Sequence, residues 1–159
     1  VAESEEVVAK IIIDKNSPFL RSLIVNKGSK NNIKLGMAVL DKNYLIGKVV
    51  EVNYLTSRVL LLSDLNSKIP VIIEPGGFQS ILSGTGKNDG ILQYLKENYL
   101  IEGKNTVYTS GAGGLFKTGI PIGKIEKSEL DKQNKVNFFS DFSQLRFVKI
   151  KSFEKDDSN

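Results

Sequence analysis

The chain has 159 residues, 40% of them hydrophobic and 25% charged, a composition typical of a folded globular protein and not of a disordered one. It contains no cysteine and no histidine, which excludes disulfides, cysteine nucleophiles, the favoured ligands of zinc and a Ser-His-Asp triad. The formal net charge of +4 comes from 22 basic and 18 acidic residues spread along the chain, so the surface is mildly basic and indicates no particular partner.

The N-terminal stretch VAESEEVVAK mixes acidic and small apolar side chains. This pattern is compatible with the last turns of a helix and equally with a frayed terminus. The chain has no apolar run near the roughly 18 residues that cross a bilayer, and it starts without a methionine. We therefore expect an upstream part, including any membrane anchor, to be missing from this sequence.

Almost every later segment predicts a short β-strand, because β-branched and aromatic residues stand between turn residues at close spacing. About a dozen short strands of this kind favour closed antiparallel barrels or a sandwich. A first series is predicted at 9–14, 22–27, 37–41, 44–53, 57–63 and 69–74. A second series follows at 78–84, 90–95, 106–110, 121–127, 135–141 and 144–153.

The last predicted strand has a conflict in its alternation. Leu145 and Phe147 fall on one face, whereas Val148 and Ile150 fall on the opposite face. Since a regular strand buries only one face against a core, we predict a β-bulge between Phe147 and Val148 that reconciles the two sets.

A short internal repeat bears on the architecture. The segment IKLGM at 33–37 is matched by FKTGI at 116–120, and IGKV at 46–49 is matched by IGKI at 122–125. Short Gly-Lys strings match by chance, but here each copy belongs to a similar series of strands. The repeat therefore favours two related small barrels.

The glycine-rich stretch TSGAGGLFKTGIPIGKI at 109–125 invites comparison with phosphate-binding loops. The sixth position of a dinucleotide fingerprint is Phe116 instead of glycine, and the residue before Lys117 is also not the glycine that a phosphate loop needs. Pro121 begins a strand-like alternation, so no helix N-terminus follows to hold an anion. We interpret these glycines as turn residues that permit positive φ.

Other site chemistry has little support in the sequence. A calcium loop starting at Asp64 would carry Ile69 where glycine is required. Carboxylates remain for acid–base work, but no motif supports an enzyme that uses them. The sequence therefore predicts no catalytic residue, no metal and no cofactor.

Five ordered segments resemble a known family. In this order and spacing they are similar to the extracytoplasmic domain of the MreC family of rod-shape-determining proteins, over about residues 9–151. Each segment alone is common, and their order together makes the match specific. The segments are IVNKGSKNNIKLGMAVL at 24–40, LIGKVVEV at 45–52, TSRVLLLSD at 56–64, SGTG at 83–86 and TSGAGGLFKTGIPIGKI at 109–125.

This resemblance implies an all-β fold of two small six-stranded antiparallel β-barrels, preceded by a short helical stub from a coiled coil. The family barrels are similar to trypsin-like protease barrels without their catalytic groups, so no enzyme is expected. The implied division is 1–8 for the end of the coiled-coil helix or a linker, 9–74 for the first barrel, 75–153 for the second barrel, with strands free to exchange between barrels, and 154–159 for a disordered tail.

The resemblance also implies a function. A member of this family is expected to be a noncatalytic scaffold of the cell-elongation machinery, which positions or activates peptidoglycan synthases to maintain rod shape. The implied location is the periplasmic side of the inner membrane, reached through a missing N-terminal transmembrane helix. The implied partners are a penicillin-binding transpeptidase, MreD, the MreB-associated elongation complex and further copies of the chain, with no nucleic acid.

Candidate protein contacts are residues on predicted loops, because exposed aromatic side chains often carry interface energy. For each of them the alternative is a side chain that closes the end of a barrel. The candidates are Phe78, Tyr94, Tyr99, Leu115, Phe116 and Lys117, with the Leu115–Phe116 tip first. A structural turn signature is predicted at Gly28, Gly36, Gly47, Gly84, Thr109, Ser110, Gly111, Gly119 and Gly123.

The alternative function is that of a nucleic-acid-binding small β-barrel protein, since barrels with basic and aromatic surfaces bind single strands. Lys149 and Lys151 align on one predicted strand, but Glu154, Asp156 and Asp157 follow them. Steeply salt-dependent binding to oligonucleotides would favour this alternative.

Overall fold

The structure is a computed structural model that describes residues 6–16, 20–93, 105–114, 116–125 and 134–153. Each of the twelve predicted strands is present, with small shifts at the ends. They are β1 (Glu6–Asn16), β2 (Arg21–Val25), β3 (Ala38–Asp41), β4 (Tyr44–Val52), β5 (Ser57–Leu61), β6 (Lys68–Glu74), β7 (Phe78–Gly84), β8 (Asp89–Gln93), β9 (Asn105–Thr109), β10 (Pro121–Ile125), β11 (Lys135–Phe138) and β12 (Phe147–Lys151).

The strands close into two antiparallel barrels of six strands each. The first barrel has the order β1-β12-β3-β4-β5-β2, and the second has the order β10-β11-β8-β7-β6-β9. Closure pairs the strand edges that an open sheet would leave free. The predicted all-β class with two six-stranded barrels is confirmed.

The strands are divided between the barrels differently from the predicted boundary at residue 74. β6 belongs to the second barrel, so the chain crosses between Leu61 and Lys68. β12 returns to the first barrel and lies between β1 and β3, an exchange that the prediction allowed without assigning it. The alternation of apolar and polar residues indicates that a segment is a strand, but it does not indicate which distant strand pairs with it.

The N-terminal strand begins earlier than predicted. The sequence predicts the end of a helix or a linker at residues 1–8, but residues 6–8 pair with β12, where Glu6 lies opposite Lys151 and Val8 opposite Lys149. Ala9 is buried in the barrel while Val8 and Lys10 are exposed, the period of two that a barrel strand requires. Residues 1–5 and 154–159, with the rest of the stub and the predicted tail, lie outside the described residues.

The predicted bulge between Phe147 and Val148 is absent. A short 3₁₀ helix at Phe142–Gln144 precedes β12, which starts at Phe147 and pairs with β1 without a register shift. Phe147 is therefore 57% exposed on the outside of the barrel, whereas Val148 is 2% exposed inside it. The conflict in the alternation is resolved by leaving an aromatic side chain on the surface.

The two halves of the internal repeat share local geometry. Gly36 and Gly119 both have positive φ, +85° and +90°. A Cβ on Gly47 would lie 2.3 Å from the carbonyl oxygen of Leu60, and one on Gly123 would lie 2.3 Å from that of Asn137. At these matched positions, each half of the repeat has one left-handed turn and one close approach between strands.

The crossing segment between the barrels is held by a buried carboxylate. Asp64 is fully buried, and its two side-chain oxygens accept hydrogen bonds from the backbone N–H of Arg21 and of Asn66, each at 2.7 Å. The Arg21 side chain reaches the second barrel, where it donates to the carbonyl oxygen of Gly86 at 3.0 Å and to Oδ1 of Asn88 at 2.8 Å.

A second set of contacts joins the barrels at the β3–β4 turn. The Ser140 hydroxyl donates to Oδ2 of Asp41 at 2.9 Å, and the rings of Tyr44 and Phe139 lie 5.2 Å apart. The buried apolar side chains of both barrels form one contiguous cluster. The barrels therefore share a packed junction in addition to two chain crossings.

Candidate protein-interaction surfaces

The glycine loop, residues 109–120, is fixed at its base by Thr109, which is fully buried. The Thr109 hydroxyl donates to the carbonyl oxygen of Lys117 at 2.6 Å and accepts from the N–H of Ile120 at 2.9 Å. The Thr109 backbone also pairs with both Gly119 and Ile120. One side chain thus joins the start of the loop to its end.

Amides of the glycine loop bond within the loop, which opposes its use as an anion cradle. The N–H of Gly114 donates to the carbonyl oxygen of Gly111, and the N–H of Ala112 donates to the Ser110 hydroxyl. The predicted positive φ is present at Gly111, Gly113, Gly114 and Gly119, with values from +65° to +90°. The interpretation of these glycines as turn residues agrees with this geometry.

The predicted contact residues lie in different environments. Phe116 is 7% exposed and belongs to the core, which favours the alternative that it closes a barrel end. Lys117 is exposed beside it, and Phe78 is half-buried against the core at the start of β7. Tyr94, Tyr99 and Leu115 lie outside the described residues. The role of all six in protein contacts remains a prediction.

The remaining glycines of the turn signature serve mainly in close contacts between backbones. A Cβ on Gly84 would lie 2.0 Å from the carbonyl oxygen of Asp64, and one on Gly28 would lie 2.1 Å from that of Asn53. Gly84 therefore allows β7 to contact the crossing segment, a role that the sequence could not distinguish from that of a turn glycine.

The outer face of the first barrel carries an apolar groove that sequence analysis missed. We call it the β12 groove; it lies between β12, β1 and the β3–β4 turn and has a volume of about 340 Å³. Val8 and Phe147 are 55% and 57% exposed there. The sequence contains one signal for this groove: Phe147 falls on the opposite face of its strand from Val148 and Ile150. The groove is lined by Val8, Leu40, Asp41, Lys42, Asn43, Phe147, Val148 and Lys149.

Charges of both signs surround the β12 groove. Glu6 lies between two lysines, with its carboxylate 3.8 Å from the Lys149 ammonium and 3.4 Å from that of Lys151. Lys10 stands opposite Phe147 on the neighbouring strand. Exposed ion pairs of this length contribute little to stability, so these lysines can change partners at low cost.

One carboxylate has a shifted pKa. Hydrogen bonds from the hydroxyl and then the backbone N–H of Ser143 hold the pKa of Asp141 below its ordinary value of 3.8. The two bonds, of 2.6 and 3.0 Å, cap the 3₁₀ helix Phe142–Gln144. This ionised group stabilises a turn at the surface.

Two other kinds of feature are absent from the part of the chain that the structure describes. No cluster of acidic side chains there is arranged to hold a metal ion. Among the same residues, no helix has the length and apolar character needed to span a membrane.

The fold defines a class: an all-β protein of two closed six-stranded antiparallel barrels, with several large apolar side chains exposed. The chain belongs to the MreC family, since residues 11–152 match the family described as "Rod shape-determining protein MreC, barrel core". A cell shape-determining protein MreC of Caulobacter vibrioides is 36% identical over 146 residues, which cover 92% of this chain and 42% of that protein. The chain thus spans less than half the length of this relative.

Solved structures share the fold. MreC from Pseudomonas aeruginosa is 28% identical with a TM-score of 0.85, over 94% of this chain and 99% of that one. The major periplasmic domain of a cell shape-determining filament MreC is 21% identical with a TM-score of 0.79, covering 96% and 100%. MreC in a complex with the penicillin-binding protein PBP2 from Helicobacter pylori is 15% identical with a TM-score of 0.63, covering 93% and 98%. The last two, with identities below 25%, show a shared fold.

Proposed function

We infer that this chain is the barrel part of a noncatalytic scaffold that holds peptidoglycan synthases in the cell-elongation machinery and so maintains rod shape. The observation that carries this proposal is the match to the MreC family over residues 11–152. The Helicobacter pylori protein of the same fold forms a complex with PBP2, which supports a penicillin-binding transpeptidase as the partner.

The related structures also support a proposed location. The domain of one related structure is periplasmic, which supports a place for this chain on the periplasmic side of the inner membrane. A transmembrane helix upstream of this sequence would anchor it. MreD, the MreB-associated complex and further copies of the chain are the other proposed partners, and the description of that relative as a filament supports self-association.

A catalytic role and nucleic-acid binding have weaker support. The absence of histidine and cysteine removes imidazole bases and thiol nucleophiles, and no motif supports the carboxylates that remain. Lys149 and Lys151, the aligned lysines of the nucleic-acid alternative, both lie beside Glu6, whose carboxylate would repel a phosphate backbone.

The test is restoration of rod shape in cells that lack their own scaffold. The full-length protein that contains this domain is compared with a variant that lacks residues 11–152 but keeps every upstream segment. We expect only the complete protein to restore rods, measured as cell length and width. Restoration by the variant without barrels would contradict the proposal, because the barrels would then be dispensable for shape.

A further inference from the structure

The β12 groove is the strongest unassigned surface of the described residues. We propose that it docks an extended segment of the transpeptidase in which an apolar side chain stands beside carboxylates. This inference rests on the proposed function, since it takes the transpeptidase as the partner, and it adds the site and the chemistry of the contact.

The groove has a floor built across three strands, apolar at both ends and with a lysine between them. Val8 on β1, Lys149 on β12 and Leu40 on β3 are direct cross-strand neighbours, so their side chains share the outer face of the barrel. Leu40 is 4% exposed and forms a firm floor, whereas Val8 is more than half exposed beside it. A partner that covers this row removes apolar surface from water without rearranging the barrel.

Phe147 forms the aromatic wall. It is paired with Lys10 and is 57% exposed, although its neighbour Val148 is buried in the barrel. A volume of about 340 Å³ is near the lower limit of roughly 300 Å³ for small-molecule sites, so the groove is suited to one or two side chains of a partner. Aromatic side chains in such positions are frequent anchors of protein interfaces.

The charges around the groove indicate what the partner carries. Two lysines line it, one in the β3–β4 turn and one on β12, against one carboxylate; two further lysines and one further carboxylate stand at neighbouring positions of β1 and β12. One carboxylate, Asp41, already accepts a hydrogen bond from Ser140, and the other, Glu6, is shared by two lysines. The excess is positive, so a partner segment needs carboxylates beside its apolar side chain. The lysines are Lys10, Lys42, Lys149 and Lys151.

The turn that forms one side of the groove is strained. Lys42 has a φ of +55°, a left-handed conformation that lysine rarely adopts and that glycine or asparagine usually occupies. Strain of this kind concentrates at binding sites, where the side chain serves a contact. A lysine at this position places a positive charge on the wall of the groove.

The same charges oppose two other occupants. In a symmetric dimer through this face, the excess of lysines on one copy would meet that on the other, which is unfavourable. An anionic membrane surface would be attracted by the lysines but repelled by Glu6, and a flat surface leaves a concave groove unfilled. A protein segment can fill the concave groove with an apolar side chain and place its carboxylates against particular lysines. It therefore matches both the shape and the charge of the groove.

The experiment measures binding of the 159-residue chain to the full cognate transpeptidase in detergent, using the double variant Val8→Ser, Phe147→Ser. The matched control is Leu35→Ser, Tyr54→Ser, which also removes two exposed apolar side chains, 67% and 65% exposed, outside the groove. We expect the groove variant to raise Kd by about tenfold or more, as for loss of an interface anchor, and the control to leave Kd within about twofold.

A charge variant tests the groove independently of apolar substitutions. Lys42→Glu is expected to lower the association rate by about tenfold at low salt and to weaken the dependence of that rate on ionic strength. An unchanged association rate and an unchanged Kd of the double variant would together overturn the docking site.

The remaining outcomes separate the possible occupants. If the wild type binds the transpeptidase and the groove variants bind equally well, the site is wrong while the proposed function stands. If the wild type does not bind the transpeptidase, the proposed function fails, and the inference fails with it. Two further outcomes would also overturn the proposal, if the groove variants still bind the transpeptidase. If these variants lose binding to phosphatidylglycerol vesicles, the groove binds a membrane. If they lose self-association, measured by ultracentrifugation, the groove binds a second copy of the chain.

Discussion

Thr109 shows how one buried hydroxyl can shape a whole loop. Its Oγ1 donates to the carbonyl oxygen of Lys117 and accepts from the N–H of Ile120, so it bonds two backbone groups that the loop geometry leaves facing each other. From the sequence, Thr109 is predicted only to be part of a turn signature. The contacts give it a definite role, since both backbone groups lose a partner if the hydroxyl is removed.

We predict that Thr109→Val lowers the free energy of unfolding by about 1–3 kcal/mol, because the variant keeps the shape of the side chain but removes the partner of the buried Ile120 N–H and of the partly buried Lys117 carbonyl oxygen. Urea denaturation measures the change. The control is Thr118→Val in the same loop, where the hydroxyl is exposed and its 3.2 Å bond to the Ser110 carbonyl oxygen is replaceable by water. Equal stability of the two variants would show that the Thr109 bonds do not hold the loop.

Phe147 and Phe116 show the limit of inference from single residues. The sequence offers two roles for Phe116, a protein contact and closure of a barrel end, and its 7% exposure favours the second. Phe147 was expected to be accommodated by a bulge, yet it is 57% exposed. The burial of a side chain depends on which distant segments pack against it, and the local sequence does not predict those segments.

Among the elements, the crossing segment between β5 and β6 joins the barrels most closely. The N–H of Gly86 donates to the carbonyl oxygen of Ser63 at 2.8 Å, and the N–H of Gly84 donates to that of Ser67 at 3.1 Å. These bonds bring β7 against the segment at a distance that excludes a side chain on Gly84.

We predict that Gly84→Ala destabilises the protein by about 2 kcal/mol or more, because its Cβ would lie 2.0 Å from a carbonyl oxygen in a packed region that cannot move freely. Thermal unfolding measures the loss, and hydrogen exchange at the amide of Gly86, and at that of residue 84, should become faster as the two backbones separate. If the variant has the melting temperature and the hydrogen-exchange rates of the wild type, the junction adapts to the added methyl group. The close approach then does not constrain the barrels.

At the scale of the whole molecule, the two barrels depend on each other. β12 lies near the end of the described chain but completes the first barrel, after β6 to β11 have built the second. The second barrel is therefore an insertion between two parts of the first. The buried side chains of both also form one cluster.

We predict a single cooperative unfolding transition, because opening either barrel exposes part of a shared core. Calorimetry is the measurement, and the calorimetric enthalpy should equal the van't Hoff enthalpy. A chain that ends at residue 146, without β12, serves as the comparison and should lose the cooperative transition of the first barrel. Two separate transitions in the complete chain would mean that the junction couples the barrels weakly.

The amino-acid sequence by itself determined the number and approximate bounds of the strands, the glycine turns and the family resemblance. These depend on local patterns, such as the period of two along a strand and glycine where φ is positive. The tertiary structure decided that β6 joins the second barrel, that β12 returns to the first, that residues 6–8 are strand, and that Phe147 is exposed while Phe116 is buried. The physical reason is that strand pairing and burial arise between segments distant in the chain, as between Val8 and Lys149, and the alternation within one segment is the same whichever partner it finds.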